Sequence, residues 1–154
     1  MKTAFTMMEL IFVIVVLGIL ATVALPRLMA PVDDAKLVKV KSDLSAIRSA
    51  IALLKSKNIL EGKMTNSGLP TALDDAVINA DGEELFDGNI TIGTLLTYPI
   101  YAKSAGGWMK TGPTTYSVNI SGQNVQFDYN STMGKFTCDI NNNTYGNICK
   151  KILR

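Results

Sequence analysis

The chain has 154 residues, which is enough for one domain with a modest hydrophobic core. Its 15 basic and 13 acidic residues are interspersed and give a net charge of +2, so no strong field for nucleic acid or acidic substrates is predicted. The sequence has no histidine, no phosphate-binding glycine loop, no nucleophile elbow and no cluster of metal ligands. We therefore predict a protein that is not an enzyme and that needs no cofactor and no metal.

The N-terminal run FTMMELIFVIVVLGILATVALP, residues 5–26, is apolar except for a single ionisable side chain, Glu9. Lys2 and the small residues late in the run fit a secretory signal peptide, but Glu9 interrupts the apolar region. A plain membrane anchor fits the length, because 21 residues from Phe5 to Leu25 span roughly 30 Å as a helix. That interpretation leaves Glu9 unexplained, and an acid within a bilayer is costly and rare.

A third interpretation accounts for both the length and the acid. The segment KTAFTMMEL, residues 2–10, together with the apolar run, resembles the start of type IV pilins and the related pseudopilins. The resemblance implies that a short basic leader, residues 1–4, is cut off between Ala4 and Phe5. It also implies that the new amine of Phe5 is methylated. Ala4 departs from the family pattern, which usually has glycine before the cut.

The spacing of three further residues supports the resemblance. In that family a glutamate stands fifth in the mature chain, a glycine fourteenth and a proline twenty-second, and these places correspond to Glu9, Gly18 and Pro26. The resemblance implies that the Glu9 carboxylate neutralises the cationic amine of Phe5 on a neighbouring subunit and so sets the axial register. Without the resemblance, Glu9 is equally consistent with a side chain that snorkels to the lipid headgroups.

Beyond Pro26, apolar residues recur at steps of three and four, which predicts an amphipathic helix. The apolar stripe consists of Leu37, Val40, Leu44, Ile47, Ile51 and Leu54. We expect one long helix from Phe5 to about Lys57, with bends or breaks near Pro26 and Pro31. Two separate helices joined at the prolines are the alternative.

The middle of the chain carries weaker signals. TALDDAVINA, from Thr71, predicts a short helix with Thr71 and Asp74 as a capping pair. The adjacent acids at 74–75 and 83–84 are more typical of solvated turns than of catalytic pairs. SAGGWMKTGP is predicted to be a loop in which Trp108 serves as a packing anchor.

The C-terminal part alternates between apolar and polar residues, which predicts β-strands. The apolar positions are Tyr116, Val118 and Ile120, then Val125, Phe127 and Tyr129, then Phe136, Cys138 and Ile140. Short turn-rich breaks favour an antiparallel meander with one buried face, onto which the helix stripe can pack. The predicted fold class is therefore α+β, with a long N-terminal helix packed on a small antiparallel β-meander. The resemblance implies the same fold.

Cys138 and Cys149 bracket the segment DINNNTYGNI. An exported domain meets an oxidising compartment, so we expect a disulfide that closes this loop and stabilises the domain by roughly 3 kcal/mol. Many type IV pilins have a comparable C-terminal loop, whereas major pseudopilins usually lack it. Two further sequences, at Asn89 and Asn130, fit bacterial N-glycosylation, although asparagine-rich sequences also produce such matches by chance.

These observations predict three segments: a leader at 1–4, a transmembrane and assembly helix at 5–26, and a globular domain at 27–154, periplasmic or extracellular. The predicted function is a structural subunit of a type IV pilus-like filament. It would be stored in the inner membrane as a single-pass protein and polymerised through its N-terminal helix into a periplasm-spanning or cell-surface filament. The resemblance implies four partners: further copies of the chain, a prepilin peptidase, an assembly platform and its ATPase machinery.

Two alternatives stay open. One is a pseudopilin of a type II secretion or DNA-uptake system, and the other is a membrane-anchored periplasmic binding module that never polymerises. Basic residues form two clusters that do not distinguish DNA phosphates from solvent, so DNA is an unsupported partner. These clusters are Lys36, Lys39 and Lys41, and Lys150, Lys151 and Arg154.

Overall fold

The computed structural model describes residues 6–63, 68–89 and 92–154, and for residues 23–32 it describes the backbone only. The chain divides into two compact units between Lys36 and Leu37. Helices and small antiparallel sheets make up the regular structure, which confirms the predicted α+β class.

Helix α1 extends from Met7 to Leu60 as one element, and its helical backbone continues through Pro26 and Pro31. The alternative of two helices joined at the prolines is therefore wrong. The helix ends before Gly62, which adopts a φ of 72° and donates its N–H to the carbonyl of Ile59. Glycine adopts this left-handed conformation without a steric penalty, so it terminates the helix where the apolar periodicity ends.

The apolar stripe of α1 is buried as predicted. Leu37 is half-buried, and the other five members are at most 5% exposed: Val40, Leu44, Ile47, Ile51 and Leu54. They belong to the same core as the buried side chains of the main sheet. One face of α1, with a period of 3.6 residues, therefore contributes to the core of the folded unit.

The main sheet has four antiparallel strands in the order β5-β6-β7-β8. Its strands are β5 (Trp108–Lys110), β6 (Thr115–Ile120), β7 (Gln123–Asn130) and β8 (Lys135–Thr137). Tyr116 lies opposite Phe127, and Tyr129 lies opposite Phe136, so successive strands present aromatic rings to the same face. The predicted meander is confirmed. Ile140 is an exception, because it lies beyond β8 and is 42% exposed.

The part of the sequence that connects α1 to the main sheet forms two small antiparallel pairs of strands. Strands β1 (Glu84–Leu85) and β4 (Ile100–Tyr101) form one pair, and β2 (Gly88–Asn89) and β3 (Gly93–Thr94) form the other. Gly88 has a φ of 101°, and a Cβ atom there would collide with the carbonyl oxygen of Gly93. Only glycine fits this position.

Two predictions for the middle of the chain are wrong. Residues 71–80 contain no helix, because Asp74 takes part in a bridge to Gly88 and in buried side-chain contacts. The segment predicted as a loop contains β5, in which Trp108 and Lys110 are both buried. Trp108 is the predicted packing anchor: it is 2% exposed and its Nε1–H donates to Asp43 at 3.0 Å.

Helix α2, Gly146–Leu153, was not predicted from the sequence. Tyr145 stands at its N-cap without a side-chain capping hydrogen bond, so the usual start signal is missing. The helix buries Cys149 and Ile152 in the core.

Candidate assembly segment and its anchoring domain

Glu9 lies in the first turn of α1, and its side chain is exposed. The backbone N–H of Glu9 donates to the Thr6 hydroxyl at 3.3 Å and to the Thr6 carbonyl at 3.1 Å, so Thr6 caps the helix. The Glu9 side chain is exposed, and it forms no ion pair with any other described residue. Its carboxylate is therefore accessible to a cation from another molecule.

The first turns of α1 are apolar on every face. All large hydrophobic side chains from Met7 to Leu20 are exposed, from 36% at Val16 to 77% at Met7. Gly18 lies among them, and a Cβ built at this position would meet nothing within 4 Å. A helix that is hydrophobic all round is stable only when lipid or protein covers it. We call residues 7–22 the apolar segment.

Several predicted positions fall outside the described residues. Ala4 and Phe5 lie there, so the cleavage and methylation sites stay predictions. Pro26 lies within α1, but nothing is described of its side chain. Where side chains are described, none of the helices has the length and apolar character needed to cross a membrane.

A buried polar network, which sequence reasoning missed, attaches the middle of the chain to the main sheet. Asp74 is 1% exposed and forms an ion pair of 2.8 Å with Lys110, which is 5% exposed. The other carboxylate oxygen of Asp74 accepts the N–H of Phe86 at 2.9 Å and the hydroxyl of Tyr116 at 2.8 Å. A buried ion pair is tolerated when its remaining hydrogen-bonding capacity is used in this way. The solvated-turn prediction for Asp74 is therefore wrong.

The sheet register explains how this network is assembled. Lys110 of β5 lies directly opposite Tyr116 of β6, so the two strands present the ammonium and the hydroxyl side by side. Burial, followed by the nearby Asp74 carboxylate, raises the pKa of Tyr116 well above its usual value. Tyr116 therefore stays protonated and acts as a hydrogen-bond donor. In the sequence, the alternation Trp108-Met109-Lys110 is the feature that could have indicated a buried Lys110, because it places Lys110 on the same strand face as Trp108.

A disulfide joins Cys138, just after β8, to Cys149 of α2, with their Cα atoms 5.9 Å apart. The predicted disulfide is thus confirmed. Within the loop, Asp139 accepts the N–H of Asn141 at 2.8 Å, and Asn142 accepts that of Thr144 at 2.9 Å. The polar side chains therefore form local turns, as the asparagine-rich composition favours.

The two glycosylation candidates differ in exposure. Asn130 is exposed at the β7–β8 turn, where its side-chain oxygen accepts the N–H groups of Thr132 and Met133 at 3.0 and 2.9 Å. Asn89 is half-buried at the end of β2, and its side-chain oxygen accepts the N–H of Ile92 at 3.0 Å. Glycosylation of either residue stays a prediction.

A helix that begins with an apolar segment on every face and continues into an α+β domain with a closed C-terminal loop has the plan of a pilin-like subunit. The type IV major fimbrial protein FimA of Dichelobacter nodosus is 26% identical over 150 residues, which are 90% of this chain and 88% of that protein. The type IV narrow pilus major component PilA5 of Thermus thermophilus is 29% identical over 114 residues, 70% of this chain and 90% of that protein.

A secretion-system protein is also similar. The type II secretion system core protein G of Pseudomonas aeruginosa is 39% identical over 57 residues, so the match spans 37% of this chain and 40% of that protein. No protein-family model matches the chain, and no solved structure matches it. The chain is thus similar to type IV pilins over most of its length and to a type II secretion pseudopilin over its first part.

Proposed function

We propose that the chain is a structural subunit of a type IV pilus-like filament, held in the inner membrane by residues 5–26 and polymerised through its N-terminal helix. The observation that carries the proposal is the apolar segment, which is exposed on every face and contains one accessible acid, Glu9. Lipid covers such a surface before assembly, and the helices of other subunits cover it afterwards.

The physical chemistry of this exchange assigns different roles to the segment's residues. Lipid tails are as apolar as leucine, so the hydrophobic effect contributes little when a helix moves from lipid into a helix bundle. Packing and polar contacts then decide the register. Gly18 allows close approach of a neighbouring helix, since its surface is open. Glu9 pairs with the amine of Phe5 on the neighbouring subunit. Without this pair, each group would be an uncompensated charge inside a helix bundle that excludes water, which is costly.

Two observations favour a pilus over a secretion pseudopilus. The relatives that align with most of this chain are named as pilus subunits, whereas core protein G aligns with 37% of it. The disulfide-closed loop is also the feature that the sequence resemblance associates with pilins. A pseudopilin of a secretion or DNA-uptake system is the second candidate. A membrane-anchored binding module that never polymerises is the third.

The same proposal includes processing and assembly partners. A prepilin peptidase cleaves between Ala4 and Phe5, the Phe5 amine is methylated, and an assembly platform with its ATPases extracts the subunit from the inner membrane. Pilins and pseudopilins form homopolymeric filaments, so further copies of the chain are the main partner.

Intact mass of the membrane-extracted protein tests the processing step. We expect a chain that begins at Phe5 with one added methyl group, while a chain that begins at Leu25 would indicate an ordinary secretory signal. Filaments sheared from the cell surface test polymerisation, and the subunit should be abundant in them. A chain found only in the membrane fraction, with the machinery present, would favour the non-polymerising module.

A further inference from the structure

A groove between α1 and α2 is lined by cationic side chains. It encloses about 390 Å³, and Lys41, Arg48 and Arg154 line it together with the hydroxyls of Ser45 and Ser49. The Nε–H of Arg48 donates to the carbonyl of Phe136 at 2.9 Å, which fixes the guanidinium beside the groove. Within the described parts of the chain, none of the three cations forms an ion pair. We call this the basic groove.

A second surface carries the opposite charge. Asp75, Glu83, Glu84 and Asp87 line a hollow of about 380 Å³, formed by the part of the sequence that connects α1 to the main sheet. One carboxylate oxygen of Asp87 is buried and has no hydrogen-bond donor among the described residues. Burial, reinforced by neighbouring carboxylates, raises the pKa of Asp87 above its usual value. We call this surface the acidic hollow. None of its four carboxylates forms an ion pair with a described residue.

We propose that the basic groove of one subunit binds the acidic hollow of a second copy of this chain. This inference rests on the proposed filament function and adds a specific contact between globular domains. The two surfaces share no lining residue, so each subunit can present both at once. A contact between two different patches of identical subunits is heterologous, and when the rotation does not close it generates an open helical filament.

The charge distribution favours a second copy over nucleic acid as the occupant. Recognition of DNA usually requires a long basic stripe and a strongly basic domain, whereas this chain has a net charge of +2. Its charges are instead separated into two compact patches of opposite sign. Complementary patches of this kind guide association and fix register more than they add raw affinity.

Charge reversal in the full chain tests the contact. The variant K41E/R154E reverses two cations of the basic groove, and K39E/K103E makes the same change in net charge at two exposed lysines outside it. We expect the first variant to lower the filament yield in sheared fractions about tenfold, since two ion pairs become repulsive, and the control to stay within about twofold of wild type. Adding D75K/E84K to the first variant should restore assembly.

Cross-linking of wild-type filaments provides a test that needs no variant. Carbodiimide joins a lysine to a carboxylate without a spacer, and filaments assembled from isotopically light and heavy subunits distinguish links between subunits from links within one. We expect mixed-isotope links from Lys41 to Asp75, Glu83 or Glu84.

The outcomes separate this contact from filament formation itself. The contact would be overturned if wild-type filaments lack these links and K41E/R154E assembles at the wild-type level. The proposed filament function would then remain intact. Absence of wild-type filaments would overturn the proposed function. A third outcome is that the wild-type protein shifts duplex DNA in a gel, whereas K41E/R154E does not shift it and still assembles normally. This outcome would assign the basic groove to nucleic acid and would also overturn the contact.

Discussion

Lys110→Met keeps the length of a buried side chain and removes its charge. The Asp74 side chain is 0% exposed, so the substitution leaves a carboxylate in the core without its cation. Removing one partner of a buried pair typically costs about 3–5 kcal/mol. Three neutral donors to the Asp74 carboxylate remain: the N–H groups of Phe86 and Ala76 at 2.9 and 3.3 Å, and the hydroxyl of Tyr116 at 2.8 Å. We therefore expect a loss at the lower end of that range, about 3 kcal/mol.

Urea unfolding of the full chain in detergent measures this loss. Trp108 is the only tryptophan and is 2% exposed, so its emission reports the opening of the core. Lys103→Met is the matched control, because Lys103 is exposed, and it should change the free energy of unfolding by less than about 0.5 kcal/mol.

A second substitution separates lost charge pairing from lost packing. Asp74→Asn in the Lys110→Met background converts the unpaired carboxylate into a neutral amide that still accepts hydrogen bonds. We expect this double variant to regain about 1–2 kcal/mol relative to Lys110→Met alone. A loss below about 1 kcal/mol for Lys110→Met, or a double variant that is less stable than the single one, would contradict a stabilising role for the buried ion pair.

Three other predictions concern assembly, the disulfide and alkaline pH. Glu9→Gln and Glu9→Leu should both be processed and accumulate in the membrane but enter filaments poorly, because the unpaired Phe5 amine costs on the order of a few kcal/mol per subunit. Normal filaments of Glu9→Leu as the sole subunit, in sheared fractions, would contradict the pairing. Cys138→Ser should lower the free energy of unfolding by about 3 kcal/mol in urea, and wild-type protein should show two thiols to alkylation only after reduction. Burial raises the pKa of Tyr129 from 10.0 to about 12, so the folded state holds this proton more tightly than the unfolded state. The resulting stability is present below pH 10 and is lost as pH rises toward 12. The raised pKa of Tyr116 contributes to the loss of stability over the same pH range. Tyr129→Phe should therefore reduce, but not abolish, the loss measured in urea titrations at stepped pH, and an unchanged slope would exclude Tyr129 as one of its sources.

Periodic features of this chain could be predicted from sequence because they depend on local spacing. The stripe from Val40 to Leu54 repeats at the helical period, and the alternation from Tyr116 to Tyr129 repeats at the strand period. Both patterns record which face is buried, so they also predicted that the helix and the sheet share one core. The candidate assembly residues were recognised by their spacing as well, although Ala4 and Phe5 lie outside the described residues.

Features that depend on contacts between distant residues could not be predicted. Asp74 lies 36 residues from Lys110 and 42 from Tyr116, and the composition around it is typical of a short helix or a solvated turn. Only the sheet register brings its partners together, and these tertiary contacts outweigh local helix propensity. Strand β5 has only 3 residues and follows a glycine-rich stretch, so its alternation was too short to recognise.

The disulfide implies an order of events during maturation of the chain. Cys138 and Cys149 are only 5% and 0% exposed in the folded domain, so an oxidant has little access to their thiols once α2 has docked. Oxidation must therefore precede or accompany the docking of α2. Because thiols are kept reduced in the cytosol, a chain that folded completely before export would reach the oxidising compartment with its cysteines already enclosed. In the export route that we propose for this chain, the last helix therefore remains undocked until the domain has left the cytosol, and the disulfide then holds the helix in place.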